Sequence, residues 1–229
     1  ITPILTMKIL AEEKKNKTDQ LLLTAPVSVW KVVLGKYLSM VTMYLIPVVI
    51  AGFYPLIMGR YGTVSYAMAY TALLGFFFLG CAQIAVGMFL SSVTESQVIA
   101  AVLTFGVLFC SFMMDGITSF FSDTAITSMM AFLVLVIILG VIIYQMTKSV
   151  VLSAGVSGVL AVVTLVVYII KPTVYSGLIQ KVLGLLAISN QFDNFVGGIL
   201  DMTGILYMLS VICIFVFLTI QCIQKRRWS

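Results

Sequence analysis

Long apolar runs alternate with short polar segments along most of the chain. Six of these runs hold roughly 18 or more residues, and a helix of that length, at about 1.5 Å per residue, crosses a hydrocarbon layer of about 30 Å. The predicted spans are Leu34–Met58, Val64–Ser91, Gln97–Met114, Ala125–Met146, Val150–Ile170 and Thr203–Ile223.

The six runs predict helices rather than strands. A backbone buried in lipid must satisfy its own N–H and C=O groups, and the runs lack the two-residue alternation of an outer-membrane barrel. The expected fold class is therefore all-α, a polytopic transmembrane helix bundle.

A charged and amphipathic insert, Ala11–Ser28, stands before the first predicted span. Thr18 is placed to cap a short helix, Asp19 lies in its first turn, and three consecutive leucines follow. Pro26 then breaks the helix, and Ser28 is placed to cap a second helix that begins near Val29. Two interpretations stay open on pattern alone: a docking element for a soluble motor, and an interfacial helix that binds anionic lipid headgroups.

Composition and charge support a membrane protein and predict its orientation. Of the 229 residues, 62% are hydrophobic and 9% charged, whereas a soluble domain carries about 25% charged residues. Basic residues are retained on the cytoplasmic face. One side holds ten of them: Lys8, Lys14, Lys15, Lys17, Lys31, Lys36, Lys148, Lys225, Arg226 and Arg227. The other side holds only Arg60, Lys171 and Lys181. The insert and the C-terminus are therefore predicted to lie in the cytoplasm. The basic residues on that side also explain the net charge of +5, so the charge is no evidence for nucleic-acid binding.

The chemistry of the chain argues against an enzyme. It contains no histidine, and its four cysteines lie in or at the ends of apolar runs without a C-x-x-C pair. We therefore expect no catalytic residue, no metal site and no cofactor. The spans also carry no ionisable side chain at mid-depth, where an ion-coupled carrier would need one. A transport function would then take its energy from outside the bilayer.

A few residues in or next to the spans have patterns that predict a specific role. Ser92 and Glu95 form an S-x-x-E capping box ahead of an apolar run, so a structural role is preferred for both. Gly80 and Gly87 share one helix face, which predicts close helix packing and a candidate dimer seam. Gln83 is a candidate for a translocation pathway, although an interhelical hydrogen bond explains it as well.

Two further segments predict local structure outside the spans. Asp115 and Gly116 read as an exofacial turn, and apolar residues at helical spacing between Pro172 and Asn190 predict an exofacial amphipathic helix. At the other end of the chain, Ile1–Met7 is apolar but too short to span, so we expect it to be the end of a preceding helix.

Four separated stretches resemble permeases of ABC-2 type transporters, in the branch with gliding-motility-type and nitrous-oxide-accessory permeases. The first is AEEKKNKTDQLLLTAPVSVWKVVLGKYL, although Lys17 replaces a glycine and Asp19 a glutamate that are common in the family. The others are SSVTESQVIAA from Ser91, SNQFDNFVGGILDMT from Ser189, and the C-terminal QKRRWS.

The resemblance implies a coupling helix that seats in a groove of an ATP-binding subunit. Its residues would be Thr18, Asp19, Gln20, Leu21, Leu22 and Leu23. It also implies a second permease subunit, identical or different, contact with membrane lipid, an auxiliary exofacial protein and a bacterial plasma-membrane location. ATP hydrolysis would belong to the partner, and the chain would work as an exporter.

The implied organisation is one ABC-2 type transmembrane domain over residues 1–229, truncated at its N-terminus. It comprises the end of a preceding helix at 1–10, the coupling segment at 11–30, five spans within 31–170, an exofacial segment at 171–202, and the last span with a basic tail at 203–229. The alternatives are an ion-coupled carrier or channel without an ATPase, and a non-transporting membrane scaffold or assembly factor.

Overall fold

The computed structural model describes residues 2–16, 28–120, 124–134, 136, 150–170 and 175–228. Every regular element in these ranges is an α-helix, so the predicted all-α fold class is confirmed. In chain order the helices are α1 (Thr2–Met7), α2 (Ala11–Lys15), α3 (Val29–Gly52), α4 (Tyr54–Met58), α5 (Tyr66–Val93), α6 (Gln97–Phe120), α7 (Ala125–Val134), α8 (Val150–Ile170), α9 (Leu178–Leu186), α10 (Asn190–Val196) and α11 (Met202–Trp228).

Four stretches in the described part of the chain are long and apolar enough to cross a membrane. They are Val29–Met58, which joins α3 and α4, then Tyr66–Val93, Gln97–Met114 and Met202–Lys225. These match the first, second, third and sixth predicted spans.

The other two predicted spans are described only in part. Helix α7 covers the start of the fourth span, and its continuation beyond residue 136 lies outside the described residues. Helix α8 has the bounds and the 21-residue length predicted for the fifth span, but its side chains are described along only part of it. Six spans therefore remain a prediction.

The chain divides into two compact units, residues 1–112 with 188–229 and residues 113–187. In the first unit α5 is the central helix, and it packs against α1, α3, α10 and α11. Its apolar character extends all round the helix, as expected for a helix enclosed by others within a membrane. The core beside it includes Val33, Tyr37 and Met88, which are at most 8% exposed.

The second unit is organised around Tyr175. Its ring meets those of Phe132 and Tyr168 edge to face, with centroids 5.9 and 6.1 Å away. The Tyr175 hydroxyl donates a hydrogen bond of 3.2 Å to the carbonyl of Thr164. Helix α9 follows within the 172–190 segment for which a helix was predicted.

One predicted helix start is confirmed and one predicted turn is wrong. Helix α3 begins at Val29, as expected, five residues before the apolar run that starts at Leu34, and Lys36 lies two turns inside it. Helix α6 continues through Asp115 and Gly116 to Phe120, so the predicted turn there does not form. Backbone hydrogen bonds of a continuing helix outweigh the turn preference of this dipeptide.

Candidate functional site

The candidate docking segment falls in the sequence between α2 and α3, and these two helices meet at one end of the first unit. The residues proposed to dock, Thr18–Leu23, lie outside the described residues. Both flanks are described: α2 and Asn16 on one side, Ser28 and the start of α3 on the other. We call these flanks, with the parts of α3 and α5 beside them, the insert base.

Hydrogen bonds fix the first flank on α5. The Ser91 hydroxyl accepts a bond of 3.1 Å from the backbone N–H of Ala11 and donates one of 3.4 Å to the carbonyl of Met7. Ala11 and Ser91 are both fully buried. A single side chain of α5 therefore holds the junction of α1 and α2.

An ion pair joins the same flank to α3. Lys36 on α3 pairs with Glu13 on α2, and its Nζ also donates a bond of 3.2 Å to the carbonyl of Ile9. The side chains of Lys36 and Glu13 are 16% and 34% exposed. Leu10 and Val33 belong to the core cluster beneath them. The insert base is thus a packed junction of three helices.

The second flank begins as the sequence predicts, with one difference. Ser28 occupies the N-cap position of α3 in an extended conformation, but its side chain makes no capping hydrogen bond. Its backbone carbonyl accepts bonds from Lys31 and Val32. The start of α3 is therefore set by the backbone.

The predicted capping box at Ser92 and Glu95 is wrong. Ser92 is fully buried in the last turn of α5, where its hydroxyl donates a 2.6 Å bond to the carbonyl of Phe89. The next helix begins at Gln97, and the carbonyl of Ser96 accepts its first helical bond. Ser96 therefore stands where a cap would be, and Ser92 serves the preceding helix.

Gly80 and Gly87 do allow close packing, but against helices of this chain. A methyl group on Gly80 would collide with the ring of Tyr44, and one on Gly87 would lie 2.5 Å from Thr6 Oγ1. This face of α5 is covered by α3 and α1, so it is not a seam between two copies. The predicted close packing is right, and the dimer seam is wrong.

Gln83, the candidate pathway residue, is half-buried in the middle of α5. Its neighbours along the helix, Ala82 and Ile84, are fully buried. The structure shows it inside the bundle, and a pathway role stays a hypothesis.

At the opposite end of the first unit, which we call the far end, an open apolar groove lies between α3–α4, α5 and α10. Its volume is about 430 Å³, and its walls include Pro55, Leu73, Phe76 and Phe192. The lining contains no carboxylate, ammonium or guanidinium group. Its chemistry therefore suits an acyl chain better than an ion.

Two further sets of contacts stabilise the far end: the packing of the buried Phe195 ring and the hydrogen bonds of the Asp201 carboxylate. Phe195 of α10 is fully buried between Gly75 of α5 and Gly204 of α11, where an added methyl would lie 2.5 and 3.0 Å from its ring. Asp201 accepts bonds of 2.8 Å from the Asn194 amide and 2.9 Å from the backbone N–H of Thr203. These donors hold the pKa of the Asp201 carboxyl below its ordinary value.

The described ranges contain no cluster of metal-binding side chains. Nowhere in them do three His, Cys, Asp or Glu residues group closely enough to hold a metal ion. The four cysteines are free thiols.

Sequence reasoning missed the residues that build the insert base. Glu13, Lys36 and Ser91 were seen only as part of quoted motifs or as charges on one face. A carboxylate and a lysine on opposite flanks of one insert, the lysine within a largely apolar helix, were the available signal.

Comparison with known proteins identifies a family. The family model described as ABC-2 family transporter protein matches residues 2–227. No curated protein and no solved structure matches the chain.

Proposed function

Because the chain belongs to the ABC-2 family of transporter proteins and is a multi-pass membrane permease, we propose that a separate ATPase subunit drives it. The permease is not itself catalytic, and the family in general works with an ATP-binding subunit. We propose that two permease chains, identical or different, assemble with two ATPase subunits in a bacterial plasma membrane and export their cargo. A membrane-lipid environment and an auxiliary exofacial protein belong to the same proposal.

The observation that carries this proposal is the family match over residues 2–227, together with the construction of the insert base. In the sequence, residues 17–27 lie between two flanks that an ion pair and buried hydrogen bonds fix to the bundle. A force that a partner protein applies to such a segment would be transmitted to α3 and α5. We propose that Thr18, Asp19, Gln20, Leu21, Leu22 and Leu23 form the helix that contacts the ATPase.

The proposed orientation places the insert and the C-terminus in the cytoplasm. Its support is the excess of basic residues on that side, ten against three. An ATP-driven motor then meets the chain where ATP is available.

Copurification tests the proposed contact. The chain is tagged, extracted from its own membrane in mild detergent, and assayed for a bound ATPase. We expect the L22D/L23D variant to lose the ATPase by at least about tenfold, because each leucine contributes about 1.5–3 kcal/mol when buried and a tenfold change corresponds to 1.4 kcal/mol.

The matched control is Y61D, which adds a negative charge to the loop at the far end. Tyr61 is 90% exposed, so the substitution disturbs no packing within the chain. Y61D should retain the ATPase. Equal retention by L22D/L23D would refute the proposed docking site.

A further inference from the structure

The strongest feature outside the docking segment itself is the partly buried cation on α3. Lys36 lies two turns into the first membrane span, with 16% of its side chain exposed. An ammonium removed from water is stable only with partners that replace its hydration. Lys36 has two such partners, the Glu13 carboxylate and the Ile9 carbonyl, and both belong to the segment before the insert.

Stability alone does not require this ion pair. Leu10 and Val33 already pack in the core there, and replacing a buried ion pair with apolar side chains of similar volume is often neutral or stabilising. What the pair adds, beside the bond from Lys36 to the Ile9 carbonyl, is a directional link between α2 and α3.

The link closes a loop in the chain. Glu13 and Lys36 are 23 positions apart, and the residues 17–27 lie between them. A force on this insert reaches the bundle through α2 and through α3. With the pair in place the two flanks move together, and the bond from Ala11 N–H to Ser91 adds α5 to the same body.

We propose that Lys36 and Glu13 are positioning residues that transmit motion of the docking segment into α3 and α5. This inference rests on the proposed function, since it needs an ATPase that pushes on the insert. Without the pair, a force from the ATPase moves α2 relative to α3, and the movement does not extend beyond the insert base. ATP hydrolysis then continues while the far end of the bundle stays still.

Hydrogen exchange measured on the complex in lipid nanodiscs tests the transmission. The complex of permease and ATPase is compared without nucleotide and after trapping with ATP and vanadate. In the wild type we expect trapping to change amide exchange at the insert base and also in the 53–65 segment at the far end. In K36M and in E13Q the change should stay at the insert base, and the far-end change should fall by about fivefold or more.

The controls are K31M and E12Q. K31M removes a positive charge from α3, as K36M does, and E12Q removes a negative charge from α2, as E13Q does. Lys31 is exposed on α3, and Glu12 is the neighbour of Glu13 on α2. Both variants should behave as the wild type. The charge-reversed double variant E13K/K36E should recover more of the far-end change than K36E alone, because it restores the ion pair although Glu at position 36 cannot donate to the Ile9 carbonyl; a general loss of stability would not give this recovery.

The outcomes separate the two proposals. A wild-type complex with no far-end change, or with no bound ATPase, contradicts the proposed function. A K36M complex with the full far-end change overturns the positioning role of the pair. If K36M and E13Q fail to assemble, the double variant decides: its recovery supports the pair, and its failure overturns it.

Discussion

Replacing Gly87 with alanine tests how closely α1 must approach α5 beside the insert base. The added methyl group would lie 2.5 Å from Thr6 Oγ1, 2.9 Å from Thr6 Cγ2 and 3.0 Å from Thr104 Cγ2. Thr6 and Thr104 are fully buried, and Thr6 Oγ1 also donates a 2.9 Å bond to the carbonyl of Thr2. Neither side chain can move aside into solvent, so α1 has to shift.

Two effects of opposite sign set the magnitude. Overpacking costs about 1–3 kcal/mol, whereas alanine favours the helix over glycine by about 1 kcal/mol. We expect G87A to destabilise the chain by up to about 2 kcal/mol. T6A alone should cost about 1 kcal/mol through its lost hydrogen bond, but it removes both Thr6 contacts. In that background G87A should therefore cost at least about 1 kcal/mol less.

The assay is reversible unfolding of the purified chain by SDS in mixed micelles, for the wild type, both single variants and the double variant. G106A is the control, because a methyl group on Gly106 meets nothing within 4 Å. It should be neutral or stabilising by up to about 1 kcal/mol. A G87A variant as stable as G106A, or strictly additive single effects in the double variant, would refute the packing described for α1 and α5.

Two further predictions concern the far end and the topology. The pKa of Asp201 is lowered from its ordinary value of 3.8, mainly by the Asn194 amide, so its stabilising effect is full above that value and is lost as the pH falls through the folded-state pKa. Thermal unfolding followed from pH 7 to pH 3 should show a stability advantage of the wild type over D201N that shrinks at the acid end, and an advantage independent of pH would contradict the hydrogen bonds of the Asp201 carboxylate. In intact cells, with the native cysteines replaced, a cysteine at Ser119 should react with a membrane-impermeant maleimide and one at Asn16 should not; the reverse pattern would invert the proposed orientation.

The sequence predicts well what depends on local pattern. The apolar runs identify the helices that include Tyr66–Val93 and Met202–Lys225, and Ser28 marks the start of α3. Local pattern fails where tertiary contacts decide the outcome. Ser92 has the spacing of a cap, but α5 extends past it, and its backbone carbonyl accepts a bond of 3.6 Å from the Cys222 thiol of α11.

The insert base could not be predicted because its contacts join distant positions. Helical spacing relates residues three or four apart, whereas Glu13 and Lys36 are 23 apart and Ala11 and Ser91 are 80 apart. Counting Lys36 and Glu13 as cytoplasmic charges gives the topology and says nothing about their pairing. The burial of Phe195 could not be predicted for the same reason, because its ring packs against Gly75 and Gly204 on two other helices.

Native mass spectrometry of the tagged chain, released from its own membrane, tests the central claim most directly. The account predicts a complex of two permease chains and two ATPase subunits that falls apart into permease alone when residues 18–23 are deleted. A wild-type chain that never carries an ATPase, or a deletion variant that keeps it, would contradict the account.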